Sequence, residues 1–318
     1  MAKVLWFFSA MLMTTLIYTC CLHETRANDS EAGLAAGGLV LAKNNAIELR
    51  SEELFISPEK IIVDYVFFNR TKRDVEITVA FPLPDLALDD EEFPTGDLVD
   101  VSGFTSEVNG TAVKTHVEHR VFKAGKEYTD TLRRLGVPLG FQTSNEDLQK
   151  LPSSTRAKLL QLGLLNKEGE PRWTLKTKFY WTQKFPAGVP LRIVHRYKPS
   201  VGGSAVSFLT SEVGSNNAFI ASQLRKYCVE PSLAQTIRRE HGVSHSERYI
   251  DYILVTGANW SGPIGKFRLV VDKEDPANYI SFCGTGVKKI GPTQFEMIKT
   301  NFVPKTNLSI LILSKHAD

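Results

Sequence analysis

The stretch from Ile61 to Asp85, IIVDYVFFNRTKRDVEITVAFPLPD, constrains this chain more than any other. Its second half sets Val75, Ile77, Val79 and Phe81 on one side and Glu76 and Thr78 on the other. That period of two belongs to a half-buried strand. Its first half, Ile61 to Phe68, is apolar at nearly every position, as expected of a strand covered on both faces. The polar run Asn69 to Asp74 is expected to join the two as a hairpin. Pro82 and Pro84 close the second strand, since proline cannot donate to a sheet ladder. A chain with this centre is expected to be a sheet protein.

Alternation recurs on both sides of it. Leu39-Val40-Leu41 follows Gly37-Gly38 as a short first strand, and Ser57-Pro58 breaks the chain before the central stretch. Asn109-Gly110 is a strong hairpin signal, because both central residues must take positive φ. On its second arm Val113, Thr115, Val117, His119 and Val121 share one face. Lys114, His116, Glu118 and Arg120 share the other. Further on, Trp173, Leu175, Thr177, Phe179 and Trp181 oppose Lys176 and Lys178. Leu191, Ile193, His195 and Tyr197 oppose Arg192 and Arg196. Strands are also expected over Ala218 to Tyr227, Tyr249 to Val255, Lys266 to Asp272, Tyr279 to Phe282, Gln294 to Phe302 and Leu308 to Leu313.

Helical spacing interrupts this pattern between about residues 125 and 169. Tyr128, Leu132 and Leu135 recur at helical intervals before Gly136. Ser144 with Asp147 has capping-box spacing, and a third helix covers Thr155 to Leu162 before Gly163. Ser232 to Glu240 is one more predicted helix. Pro199 to Ser204, with Gly202-Gly203, is the best linker.

The amino terminus has the layout of a secretory signal peptide. Lys3 is followed by an apolar run from Val4 to Tyr18, and Thr25 and Ala27 place small residues before a cut between Ala27 and Asn28. The run is shorter than the ~20 residues of a membrane anchor. Such a cut removes Cys20 and Cys21 from a chain of four cysteines. Cys228 and Cys283 remain, and in an oxidising compartment they are expected to pair. The expected location is therefore periplasmic or secreted, with no stable membrane span after cleavage.

Motifs that carry chemistry are sparse. The net charge of +3 is too small to argue for nucleic acid. His116 and His119, three apart on a strand, point to opposite faces. His241 and His245 are separated by Gly242 and lack a third ligand at a recognised spacing, so no metal is expected. The acidic loop Asp89-Asp90-Glu91-Glu92 lacks calcium-loop spacing. The nucleophile elbow, the phosphate loop and the dinucleotide fingerprint are all absent, so no cofactor is expected. His195, on an apolar strand face, is expected to be a hydrogen-bonded core residue. Trp173, Trp181 and Trp260 could stack a sugar, although aromatic residues in strands more often serve as core. If a small ligand is bound, His195, Asn259 and Trp260 are the candidate residues.

Several segments resemble a family of exported bacterial proteins, the domain of unknown function DUF4424. They are Asn28-Asp29-Ser30 with Gly37-Gly38-Leu39; Ser51 to Ser57; Val79-Ala80-Phe81-Pro82-Leu83-Pro84-Asp85; Phe185-Pro186-Ala187-Gly188 with His195-Arg196-Tyr197; Tyr252 to Lys273, including Thr256-Gly257-Ala258-Asn259-Trp260; and Ser281-Phe282-Cys283-Gly284. The resemblance spans nearly the whole chain after the leader and implies no activity. A weaker likeness over Val63 to Gly136 is to VIT domains, extracellular β-modules of protein association. It is a likeness of fold alone.

The expectation is a mainly-β protein of two β-sandwich-like units, with a short helical insertion in the first. Residues 1–27 form the signal peptide, 28–200 the first unit and 201–318 the second. Its expected role is non-catalytic binding or scaffolding of an envelope protein or glycan. The alternatives are an enzyme acting on envelope glycan or peptide through His195 or His241 with an unidentified acid, and a carbohydrate-binding module. A cleft holding a histidine beside a carboxylate would favour the enzyme.

Overall fold

The structure, a computed structural model, describes residues 29–35, 38–88, 103–139, 145–210, 217–240 and 243–317. The expected leader with its expected Ala27–Asn28 cut, Cys20 and Cys21, the acidic loop at Asp89–Glu92, Ser144 and His241 all lie outside the described residues.

The strands, in chain order, begin with β1 (Ser30–Ala35), β2 (Gly38–Ala42), β3 (Ile47–Ile56), β4 (Ile61–Asn69), β5 (Val75–Pro82) and β6 (Leu86–Ala87). Next come β7 (Thr105–Val108), β8 (Thr111–Ala112), β9 (His116–Lys123) and β10 (Lys126–Glu127). After the insertion follow β11 (Thr174–Phe185), β12 (Pro190–Tyr197), β13 (Gly202–Ser204), β14 (Val243–Tyr252) and β15 (Ile264–Asp272). The chain ends with β16 (Tyr279–Phe282), β17 (Lys288–Lys289), β18 (Gln294–Phe302) and β19 (Leu308–Ala317). The helices are α1 (Thr129–Arg134), α2 (Asn145–Gln149), α3 (Ser153–Gln161), α4 (Ala218–Lys226) and α5 (Pro231–Arg239).

Among the described residues these strands form three sheets. The first runs β10-β9-β11-β5-β1-β2, with β6 also on β11. The second, of eight strands, runs β17-β18-β15-β3-β4-β12-β7-β8, and the third runs β13-β14-β19-β16. The pairings are antiparallel except β15 on β3. One core takes its residues from all three sheets: Val63, Tyr65 and Phe67 of the second, Phe81 and Trp181 of the first, Tyr252 and Ile310 of the third. The second sheet is thus a shared layer, covered by the first sheet in one part and the third in another. The fold is mainly β and is consistent with sandwich-like units. Because β15, β17 and β18 join β3, β4 and β12, that shared sheet is continuous across residue 200.

The structure corrects several local expectations. β4 and β5 are not a hairpin: β4 pairs with β3 and β12, while β5 pairs with β11 and β1. The turn between them is an arch that carries the chain from one sheet to the facing one. On β4 full burial alternates, with Ile61, Val63, Tyr65 and Phe67 inside; Phe68 on the other side is covered by the Arg50 guanidinium, 3.3 Å from its ring centroid. The Asn109-Gly110 turn forms with φ of 49° and 81°. Its second arm divides, however: β8 stays beside β7, and β9 crosses to the first sheet. Ala218 to Tyr227 is helix rather than strand. The side chain of Asn217 accepts from the Phe219 amide and caps its first turn. Within the proposed linker, Gly202–Ser204 pairs with β14.

The helical insertion builds a satellite core. Leu132, Leu148, Leu159 and Leu164 pack on Val121, Trp173 and Leu175. Gly136 and Gly163, the predicted stops, take φ of 70° and 68°. Gly265 on β15 is required for another reason: a Cβ there would lie 2.5 Å from the Arg50 carbonyl oxygen, where β3 bulges between Leu49 and Ser51.

Candidate functional site

The register of β9 on β11 builds a charged cleft. Lys178 stands opposite Glu118, Lys176 opposite Arg120, and Thr174 opposite Phe122. Alternation sends Leu175, Thr177, Phe179 and Trp181 inward, so the lysines and their partners share the outer face. Asp85, at the end of the FPLPD run, reaches this face from beside β6. With Ala124 and Gly125 these residues line a cavity of about 360 Å³.

Its ionisable groups are all partly withdrawn from water. The Asp85 carboxylate is 2.6 Å from Lys176 Nζ. Lys178 Nζ lies 3.5 Å from Glu118 Oε2 and donates to the Leu39 carbonyl at 2.5 Å. Glu118 Oε1 accepts from the Leu39 amide at 2.9 Å. Arg120 makes two bonds to Glu127, and its guanidinium and Lys176 Nζ lie 5.2 and 5.4 Å from the Phe122 ring centroid. Burial pushes the Asp85 carboxyl above its ordinary value of 3.8, with Lys176 and Lys178 opposing. Burial likewise pushes the Lys178 ammonium below 10.5, with Glu118 opposing. Lys176 directly facing Arg120 is a repulsive cross-strand pair, held in place by the surrounding carboxylates and the ring.

The opposite face of the same strands borders a second cavity of about 480 Å³, lined by Val117, His119, Arg133 and Gly136 to Leu139. His119 Nδ1 is 3.0 Å from Thr177 Oγ1, and burial followed by the Arg133 charge lowers its pKa. His116 packs beside Tyr180 on the cleft side, so the two histidines diverge as their spacing predicts.

The ligand candidates His195, Asn259 and Trp260 lie elsewhere, and they meet inside the protein around Asp29 and Ser30. His195 is fully buried, with Nε2 3.0 and 3.1 Å from the Asp29 carboxylate oxygens. Trp260 Nε1 donates to the Asp29 carbonyl at 2.6 Å, and Asn259 Nδ2 donates to Ser30 Oγ at 3.0 Å. Phe81, Phe104, Trp181 and Tyr65 surround the imidazole. Burial raises the Asp29 pKa and His195 offsets part of the rise. Close by, the hydroxyls of Tyr65 and Tyr252 are 3.3 Å apart.

A second histidine–carboxylate pair joins His245 Nε2 to Glu240 at 2.7 Å. Tyr279 and Lys315 donate to the same carboxylate at 2.6 and 2.5 Å. Burial opposes the Glu240 charge, but the bonds from Lys315, Tyr279 and His245 outweigh it and hold the pKa at about 2. Neither histidine of these pairs lines the two cavities described. Trp173, Trp181 and Trp260 are 2%, 3% and 1% exposed, so they offer no stacking platform. Among the described residues no three His, Cys, Asp or Glu side chains are grouped to hold a metal. No described helix is long and apolar enough to cross a membrane. Cys228 and Cys283 are joined as a disulfide.

Three sheets around a common core, one of them bearing a charged outer cleft, define a multi-sheet β-protein. Residues 27–311 match the family described as a domain of unknown function, DUF4424, and the chain belongs to it. No curated protein matches it. Among solved structures the fold is similar to that of a Legionella pneumophila protein named as a candidate nutrient-binding protein. The TM-score is 0.50 at 15% identity, covering 90% of this chain and 70% of that one. An M1 zinc metallopeptidase from Deinococcus radiodurans gives a TM-score of 0.23 at 10% identity, covering 85% of this chain and 43% of that one, too low to support an argument.

Proposed function

We propose that this protein is an exported, non-catalytic binding protein of the cell envelope, and that its ligand enters the charged cleft on β9 and β11. The observation that carries this reading is the concentration of Asp85, Glu118, Arg120, Lys176 and Lys178, all partly buried, around one cavity. Concave sites with shifted ionisation are the places where ligands are held. With both charge signs on the wall, the matching ligand is a compact zwitterion, its carboxylate toward the lysines and its ammonium toward Asp85 and Glu118. The nutrient-binding name of the Legionella protein supports a binding role. Export is supported by the leader pattern and by a disulfide made from the two cysteines that leader removal would spare.

Thermal melting of exported protein against a panel of amino acids and neutral sugars tests the ligand class. An amino acid should raise the melting temperature, and Lys176→Ala with Lys178→Ala should abolish the response. A response to sugars alone, to nothing in the panel, or one kept by the variant overturns the cleft assignment. Amino-terminal sequencing tests export separately: Asn28 is expected, and an intact Met1 recovered in membranes argues for an anchor.

A further inference from the structure

We propose that His195, Asn259 and Trp260 form a peptide-binding site whose ligand is the chain's own segment Asp29–Ala35, docked as a strand rather than built into the core.

The contacts are those of a ligand site. Donors from remote parts of the chain converge on two successive residues: His195 on the Asp29 carboxylate, Trp260 on the Asp29 carbonyl and Asn259 on the Ser30 hydroxyl. Ser30 Oγ also donates to the Ala42 carbonyl at 3.0 Å, and the Glu31 carboxylate accepts from Asn44 Nδ2 at 2.6 Å. The Asn259 carbonyl in turn accepts from the Asn44 amide at 2.7 Å. Aromatic walls with a few placed polar groups are the usual construction of a binding pocket.

The segment's attachment to the rest of the sheet is slight. β1 meets β5 only at Ser30↔Ala80 and Glu31↔Val79, and its remaining ladder is with β2. Ala32 packs in a small satellite cluster with Leu39 and Ala80, apart from the main core. Of the segment's described side chains the buried apolar one is the small Ala32, so the polar anchor decides which peptide the site accepts. The anchor is specific. A carboxylate taken into an aromatic interior needs a donor, and His195 supplies one through Nε2 while its Nδ1 has no partner. The imidazole is satisfied only on the side that faces Asp29. The site thus selects an extended peptide carrying an aspartate followed by a small hydroxyl residue, added to the β5 edge by strand addition.

The full chain, expressed for export with a protease sequence inserted between Ala35 and Gly38, tests this. After cleavage of the folded protein, the amino-terminal fragment should co-elute with the remainder. It should then exchange with a labelled synthetic peptide, Asn-Asp-Ser-Glu-Ala-Gly-Leu-Ala. A peptide with Asp29→Ala should compete at least tenfold more weakly, and protein with His195→Gln should lose the same discrimination. Equal competition by the Asp29→Ala peptide overturns the proposal. So does a fragment that departs without peptide uptake or that never exchanges. Unfolding of the remainder once the fragment leaves also overturns it, since the segment would then be inseparable from the core. The peptide comparison needs no variant protein, so a His195→Gln chain that fails to fold leaves the test intact.

Discussion

Asp29 and His195, 166 positions apart in sequence, meet where neither touches water. Burial lifts the Asp29 pKa above 3.8. An acid raised on folding favours the folded state at low pH, and its contribution turns unfavourable as pH rises through the folded value. The pair is therefore less a source of stability than a requirement that both partners be present. His195→Phe would remove the imidazole from the buried carboxylate and should cost roughly 3–5 kcal/mol in urea unfolding. Adding Asp29→Asn should restore part of that loss, whereas strict additivity of the two changes would mean the residues do not interact. Glu240 has the opposite sign. Its pKa falls from 4.5 to about 2, so its contribution is complete above pH 4.5 and disappears as pH drops toward 2. Since its carboxylate is partly exposed, the effect should be on the order of 1 kcal/mol. Glu240→Gln should lower the melting temperature at neutral pH and make it less sensitive to acid between those limits. An unchanged acid profile would remove Glu240 as the group responsible.

α4 and β16 are tied by the Cys228–Cys283 bridge, across 55 positions. Cys228 holds the left-handed position after the helix, with φ of 50°, a place that glycine usually fills. For a loop of this length the chain-entropy estimate is about 4 kcal/mol, a ceiling that native strain lowers. Thiol titration of denatured, unreduced protein beginning at Asn28, and so without Cys20 and Cys21, should find none free. Cys228→Ser with Cys283→Ser should lower the melting temperature while the β signal in circular dichroism persists. Two free thiols per chain would end this account. The pairing was legible because only two cysteines lie beyond the expected leader, but the helix beside it was not. Ala218-Phe219-Ile220-Ala221 looks like a strand, while Ile220 and Gln223, the buried pair one turn apart, hide the helical stripe behind a polar residue. The β4–β5 arch was misread for a related reason. Period two says which residues share a face, not whether the next strand joins the same sheet. The cleft was half legible: the alternation of Glu118 with Arg120 and of Lys176 with Lys178 was plain. The register that brings them to Asp85 depends on pairing between distant strands, which no local pattern encodes.

At the scale of the whole molecule, the shared sheet decides how the chain comes apart. If residues 28–200 and 201–318 were independent units, each would hold its own sheets and unfold at its own denaturant concentration. Instead β3 lies between β4 and β15, and the parallel pairing runs from Lys266↔Ser51 to Val271↔Ile56. Phe267, Leu269 and Val271 from the later half share a core with Leu54, Val63 and Phe67 from the earlier half. Removing either half would expose a sheet edge and one side of that core together, so neither is expected to keep a free-energy minimum of its own. Urea unfolding should give one transition, with circular dichroism and tryptophan fluorescence coincident. Tryptophan fluorescence is informative here because Trp173 lies in the satellite core on the insertion and Trp181 and Trp260 in the common core. The sharper comparison uses the double serine variant, whose lesion is confined to the later half. If the shared sheet couples the halves, fluorescence and circular dichroism move together to lower urea by the same amount. If, in a Trp260→Phe background that leaves Trp173 and Trp181 of the earlier half as the reporters, the fluorescence transition stays where it was while part of the circular dichroism shifts, residue 200 marks a true boundary between units and the eight-stranded sheet does not bind them into one.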